Sequence, residues 1–157
     1  MSDIWARQAL IGRQLGIWGA GSVVVGAGLG IAGQVGGSRS LRAFGAQNAA
    51  WGAVDLGIAS FGELRRRGRL ATAEDPYGPA TQEAERRSLR RVLLVNAGLD
   101  VGYLAGGTAG LLWAGLRGSG LRRSGAADPV AGHSAAVLVQ GAFLLGFDTL
   151  HARALRA

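Results

Sequence analysis

The chain of 157 residues contains no cysteine, no lysine and only three prolines. Without cysteine there are no disulfides, no thiolate metal sites and no cysteine nucleophile. Every one of the 17 basic residues is therefore arginine. Acidic residues are few, 10 in total, giving a formal charge of +7 and a pI near 11.5. In a soluble protein that balance would point to nucleic acid. Here the arginines are confined to short stretches between long apolar runs, so no nucleic-acid partner is expected and a membrane is.

What is abundant is glycine, 28 residues, set within four apolar segments. They cover about 15–35, 43–64, 92–116 and 130–151. Each has about the 20 residues that a helix needs to cross a hydrocarbon core. Glycine weakens helices in water but is common in membrane helices, where it lets backbones approach. The expected fold is all-α: a single integral membrane domain over 1–157, built as a four-transmembrane-helix bundle. The first segment is too long for a signal-peptide core and lacks a closing A-x-A site, so it reads as an uncleaved span.

Four spans place both termini and the loop 65–91 on one side. That side carries Arg7, Arg13, the eight arginines between Arg65 and Arg91, Arg153 and Arg156, twelve in all. Arg39, Arg42, Arg117, Arg122 and Arg123 fall on the other. The arginine-rich side is expected to be cytoplasmic, so both termini are cytoplasmic and the protein is a multi-pass protein of the inner membrane. Within the loop, 71–80 reads as a turn or linker and Thr81 as the N-cap of a helix that runs on into the third span. Glu83 and Arg87 lie one turn apart. The loop arginines have two readings, a topology signal on a solvated face and a site for anionic lipid headgroups.

Gly28-x-Gly30-x-x-Gly33 matches a dinucleotide-binding fingerprint, but no strand precedes it. Ser22, Gly26 and Gly30, four apart, read instead as a close-packing helix face. Such a face could join spans within one chain or across a homo-oligomer. Gln47-x7-Asp55 is echoed by Gln140-x7-Asp148, a hint of two hairpins in tandem.

The chemistry-bearing residues are polar groups inside the spans. Asn48 and Asp55 fall within about 20° of each other on a helix. Asn96, Asp100 and Tyr103 are spaced i, i+4, i+7, and Gln140, Asp148 and His151 share a face. Asp55 and Asp100 come out at a depth of roughly 12–14 Å from the arginine-rich side. A charged aspartate at a helix centre costs on the order of 3 kcal/mol on insertion scales. Protonation, water or a cation such as Arg7 or Arg13 is the expected relief. One reading is a proton, cation or small polar ligand pocket among helices two, three and four. The other is a hydrogen-bond network that only orients the helices. No cofactor or metal is expected: His133 and His151 lie about 27 Å apart along one helix, which rules out their ligating one haem. With neither H-x-x-x-H nor G-x-S-x-G, no enzyme is expected either.

QNAAWGAVDLGIA (47–59), LLVNAGLDVGYLAGG (93–107) and VQGAFLLGFDTLHA (139–152) together resemble the motifs of a small family of bacterial membrane proteins catalogued as a domain of unknown function. The resemblance spans nearly the whole chain and implies a four-helix membrane protein of no assigned activity. Asn96, Asp100, Tyr103, Gln140 and Asp148 fall on motif positions. The position of Asp55 often holds asparagine in that pattern, which leaves Asp100 as the first candidate.

Overall fold

Helix runs further than the apolar stretches at the arginine-rich end of the chain. The computed structural model describes residues 3–116 and 127–156. It contains α1 (Ile4–Val35), α2 (Arg39–Thr72), α3 (Pro79–Leu116) and α4 (Ala127–Ala154), with no strand among the described residues. Arg117, Arg122 and Arg123, counted above for the opposite side, lie outside them. The Asp3 side chain caps α1 by accepting from the Trp5 amide at 3.0 Å, so this helix starts at Ile4 rather than Leu15.

Between 65 and 91 helix extends beyond the expected 81–91: α2 runs on to Thr72 and α3 opens at Pro79, which corrects the sequence reading of 65–80. Only 73–78 breaks the helix. The flanking residues are good helix formers, Arg, Leu, Ala, Glu and Gln. Glu63 also pairs along its own helix with Arg66 at 2.8 Å and Arg67 at 2.6 Å. Thr81, expected as an N-cap, lies inside α3, which opens at Pro79. Proline suits the first helical position because its missing N–H would have no helical partner there. Glu83 stands 3.7 Å from Arg87, one turn on.

The α1–α2 hairpin turns at Gly37, whose φ of 69° suits glycine, and Ser38 caps α2. Its two helices then meet backbone to backbone. Gly19, Gly26 and Gly33 on α1 face Gly52, Gly45 and Arg42 on α2. A methyl group on Gly26 would stand 2.5 Å from the Ala49 nitrogen, and one on Gly52 2.5 Å from the Gly19 carbonyl. On α1 the seam carries Gly19, Gly26 and Gly33 seven apart, nearly two helical turns, together with the expected residues four apart. The expected face Ser22, Gly26 and Gly30 lies in the seam: a methyl group on Gly52 would meet the Ser22 side chain, and one on Gly45 would meet the backbone of both Gly26 and Gly30. The dinucleotide-like Gly28-x-Gly30-x-x-Gly33 lies wholly inside α1. In the α3–α4 hairpin Gly107 sits under Leu138, and Gly132 of α4 rests against Ser40 and Ala43 of α2.

The apolar core gathers at the arginine-rich end. Ile4, Trp5 and Ile11 pack with Leu93, Ala152 and Leu155, flanked by Leu70, Leu89 and Phe147. Gln82 clasps the same end: its Oε1 accepts from the Ile4 amide at 2.9 Å, and its Nε2 donates to the Pro76 carbonyl at 3.0 Å. Elsewhere large apolar side chains point outward, among them Val24, Ile31, Leu99 and Leu112. α1, α3 and the 129–154 part of α4 are each long and apolar enough to cross a membrane. That outward apolar surface suits lipid and marks a membrane protein. α2 falls short of this apolarity because Asp55, Glu63 and its arginines interrupt it.

Candidate functional site

Two polar clusters lie inside the bundle, and they differ in how well their hydrogen bonds are met. The first is neutral and centres on Gln140, 1% exposed, on α4. Its Oε1 accepts from Trp18 Nε1 at 2.8 Å. Its Nε2 donates to Ser22 Oγ at 3.0 Å and to Asn48 Oδ1 at 2.6 Å. Asn48 Nδ2 in turn donates to the Ser22 carbonyl at 3.1 Å. Both amide hydrogens of Gln140 and its carbonyl are thus engaged, tying α1, α2 and α4 together. The Trp18 ring is held by stacking on Phe143, with centroids 3.7 Å apart.

The second cluster is acidic. Asp55 on α2, Asp100 on α3 and Asp148 on α4 are 1%, 3% and 5% exposed. Asp148 interacts electrostatically with both other carboxylates, and Asp55 with Asp100, so the three form one group. Asp55 Oδ2 and Asp100 Oδ2 are buried without a hydrogen-bond partner, as is the Trp51 Nε1 one turn before Asp55. Neither Arg7 nor Arg13, the expected counter-cations, forms an ion pair with them. Asp55 packs at the level of Gly19, about 9 Å along α1 from Arg13 and about 18 Å from Arg7. A buried polar atom without a partner typically costs about 1–3 kcal/mol, so such atoms are rare and call for a cause.

A cavity of about 290 Å³ leads toward this cluster. All four helices line it. Arg65, Arg66 and Arg69 of α2 and Glu85 of α3 stand at one end, Asn96 and Asp148 at the other. The α2–α3 seam is pinned on both sides of it. Trp51 meets Tyr103 edge-on, centroids 4.9 Å apart, and Arg69 forms an ion pair with Glu85, which also accepts from Gln8 at 3.2 Å. Between those pins the wall is apolar, with Ile58, Leu89 and Phe147. Asp55 and Asp100 lie one helical turn beyond Ala59 and Asn96 of the wall, towards the Trp51–Tyr103 pin.

The sequence-predicted residues therefore separate. Asn48 and Gln140 belong to the neutral network, while Asp55, Asp100, Asp148 and Asn96 belong to the acidic cluster and its cavity. Tyr103, 39% exposed, stands at the outer edge as the partner of Trp51. Gln47 and Gln140, matched in the tandem echo, have different surroundings: Gln47 is half-buried and bonds His133 Nδ1 at 3.0 Å. His151 leaves the acidic face and bonds Gln14 Oε1 at 3.0 Å. Sequence reasoning missed Trp18, the hydrogen-bonding role of Ser22 and the contact of Trp51 with Tyr103. A signal existed for Trp18 and Ser22, which are four apart and so share a face of α1.

No curated protein and no solved structure matches this chain. The family of unknown function DUF6992 matches residues 14–149. That span takes in both polar clusters and every predicted site residue, and the chain belongs to DUF6992.

Proposed function

We propose that the protein is a four-span protein of the inner membrane, both termini cytoplasmic, that binds or conducts a proton, a small cation or a small polar donor at Asp55, Asp100 and Asp148. One observation carries this reading: three buried carboxylates without an arginine partner, two of them with unpartnered oxygens, beside a cavity that Asp148 lines. Unpartnered acceptor oxygens select a donor or a positive charge. Intramembrane acids at a cavity are the usual element of ion and proton paths. The antiparallel glycine seam supports α2 as the fourth span, because it lays α2 along the apolar length of α1.

A second reading, a structural or assembly subunit held by its polar stripes, is favoured only at the neutral network. There every group of Gln140 is satisfied, as an orienting contact requires. The two readings thus divide by cluster: Asn48 and Gln140 orient helices, and the aspartates bind.

The test uses purified protein in liposomes, with proton and sodium flux measured for wild type and Asp148→Asn. Flux above empty liposomes that Asp148→Asn abolishes supports the site; wild-type flux that the variant keeps overturns it. Topology is checked by single-cysteine labelling, which the absence of native cysteine makes clean. Ser38→Cys should label in intact cells and Ala71→Cys only after permeabilisation. Labelling of both from outside would remove α2 from the spans.

A further inference from the structure

A larger cavity, about 810 Å³, lies at the arginine-rich end between α3 and the end of α4. Five arginines line it: Arg86, Arg87, Arg90 and Arg91 on α3, and Arg156 after α4. The one acid in its wall is Glu83, 3.7 Å from both Arg86 and Arg87. Positive charge is therefore in large excess. Arg90 Nε is buried there without a hydrogen-bond partner. A guanidinium N–H held in that way fits an oxyanion, whose geometry arginine matches with two parallel bonds.

The arginines form two rows of i, i+4 spacing, Arg86–Arg90 and Arg87–Arg91, about 6 Å along the axis within each row. Both rows run on into apolar residues of the same spacing, Leu94 in the first and Val95 then Leu99 in the second. Leu94 and Val95 line the cavity, and all three are exposed. They belong to a helix long and apolar enough to cross a membrane. A ligand on these rows meets cationic hydrogen-bond donors at one end and lipid-facing side chains at the other. Free phosphate would use only the first half, and nucleic acid would find no use for the second.

We propose that this cavity is a binding site for an anionic phospholipid. The headgroup phosphate lies between the rows at Arg87, Arg90 and Arg91, and an acyl chain follows Val95 and Leu99. The site is separate from the aspartate cluster and does not depend on its role.

The experiment is native mass spectrometry of the full chain in detergent, titrated with phosphatidylglycerol and with phosphatidylcholine of the same acyl chains. Arg87 and Arg91 are exposed, so Arg87→Gln/Arg91→Gln is expected to fold. At about 1 kcal/mol per arginine near a lipid surface, that double variant should bind phosphatidylglycerol at least about tenfold more weakly. Arg13→Gln/Arg67→Gln removes the same charge from the other face of the bundle and should change binding less than about twofold. Wild type should also prefer phosphatidylglycerol to phosphatidylcholine. Equal losses in the two double variants would reduce the effect to bulk charge and overturn the site. Equal binding of the two lipids would overturn it on wild type alone, as would millimolar inorganic phosphate displacing phosphatidylglycerol completely.

Discussion

The arginine-rich end and the middle of the bundle are held together by different means. At the arginine-rich end Ile4, Trp5, Ile11, Leu93 and Leu155 bury their side chains against one another, and Gln82 ties the chain start to the 73–78 turn. In the middle, α1 and α2 meet through glycine backbone, and the side chains turned inward are Gln140, Asn48, Ser22 and the aspartates. The difference follows from the solvent. Water drives apolar side chains together, so a core of isoleucine, leucine and tryptophan forms where water reaches the bundle. Lipid is as apolar as leucine and gives no such drive. There, close backbone packing and internal hydrogen bonds remain as the adhesive terms.

The largest effect on stability is expected at the arginine-rich end. Trp5 is almost fully buried, and its Nε1 donates to the Pro76 carbonyl at 2.8 Å. Trp5→Ala removes that bond and leaves a large cavity, so a loss of about 3–5 kcal/mol is expected. The loss would appear as early melting in detergent. A loss below about 1 kcal/mol would mean that this core contributes little to the bundle.

Next comes the glycine seam. A methyl group on Gly45 would lie 2.5 Å from the Gly26 carbonyl, and backbone is the neighbour least able to yield. Gly45→Ala should therefore cost about 1–3 kcal/mol despite alanine's better helix propensity. Gly28→Ala is the control, since nothing stands within 4 Å of its added methyl. It should be neutral or stabilising by up to about 1 kcal/mol. Equal melting temperatures for the two variants would sink the idea that backbone contact holds the middle.

The neutral network should give a smaller loss. Gln140→Leu leaves Trp18 Nε1 and Asn48 Oδ1 without their partners. Hydrogen bonds between membrane helices average about 0.6 kcal/mol, and stranded groups add to that, so about 1–2 kcal/mol is expected. Gln140→Glu, similar in shape but able to ionise, should destabilise at neutral pH and recover as the solution is acidified. A variant that melts like wild type would make the network incidental.

The sequence carried much of this arrangement and missed a definite part. Helical spacing alone turned Asn48 with Asp55, and Asn96 with Asp100, to one face, and all three aspartates are indeed inside. Spacing identifies a face but not what it meets, so Trp18 and Ser22 of α1 were not foreseen as the partners of Gln140. Tyr103 illustrates the same limit, since the i, i+7 position of its stripe ends at an exposed edge over Trp51. Ile4 and Trp5 were missed because hydropathy favours long apolar runs, and a two-residue anchor does not make one. The glycine seam was expected at every fourth residue. Ser22, Gly26 and Gly30 do meet α2, and what only the second helix reveals is the further set Gly19, Gly26 and Gly33, seven apart.

The smallest effect on stability is expected at Asp100, and there the two readings of the acids part. Its Oδ2 is buried without a partner, so no internal hydrogen bond is lost when that oxygen becomes an amide. Asp100→Asn also removes one of three mutually repelling carboxylates, a change that is often neutral or stabilising inside a protein. Its melting temperature should match wild type or exceed it. If the carboxylate serves as a binding group, proton or sodium flux should be lost while that stability is kept. Asp100→Leu is the companion, because it removes both charge and hydrogen bonding while keeping the same branching at Cγ. If the acids serve only to orient helices, Asp100→Asn should keep flux and stability alike, and Asp100→Leu should melt early. Stability that is indifferent to both variants, joined to flux that is lost in both, would assign the residue to binding. Unlike the seam and the core, the acidic cluster would then add nothing to the fold and could be explained only by what it holds.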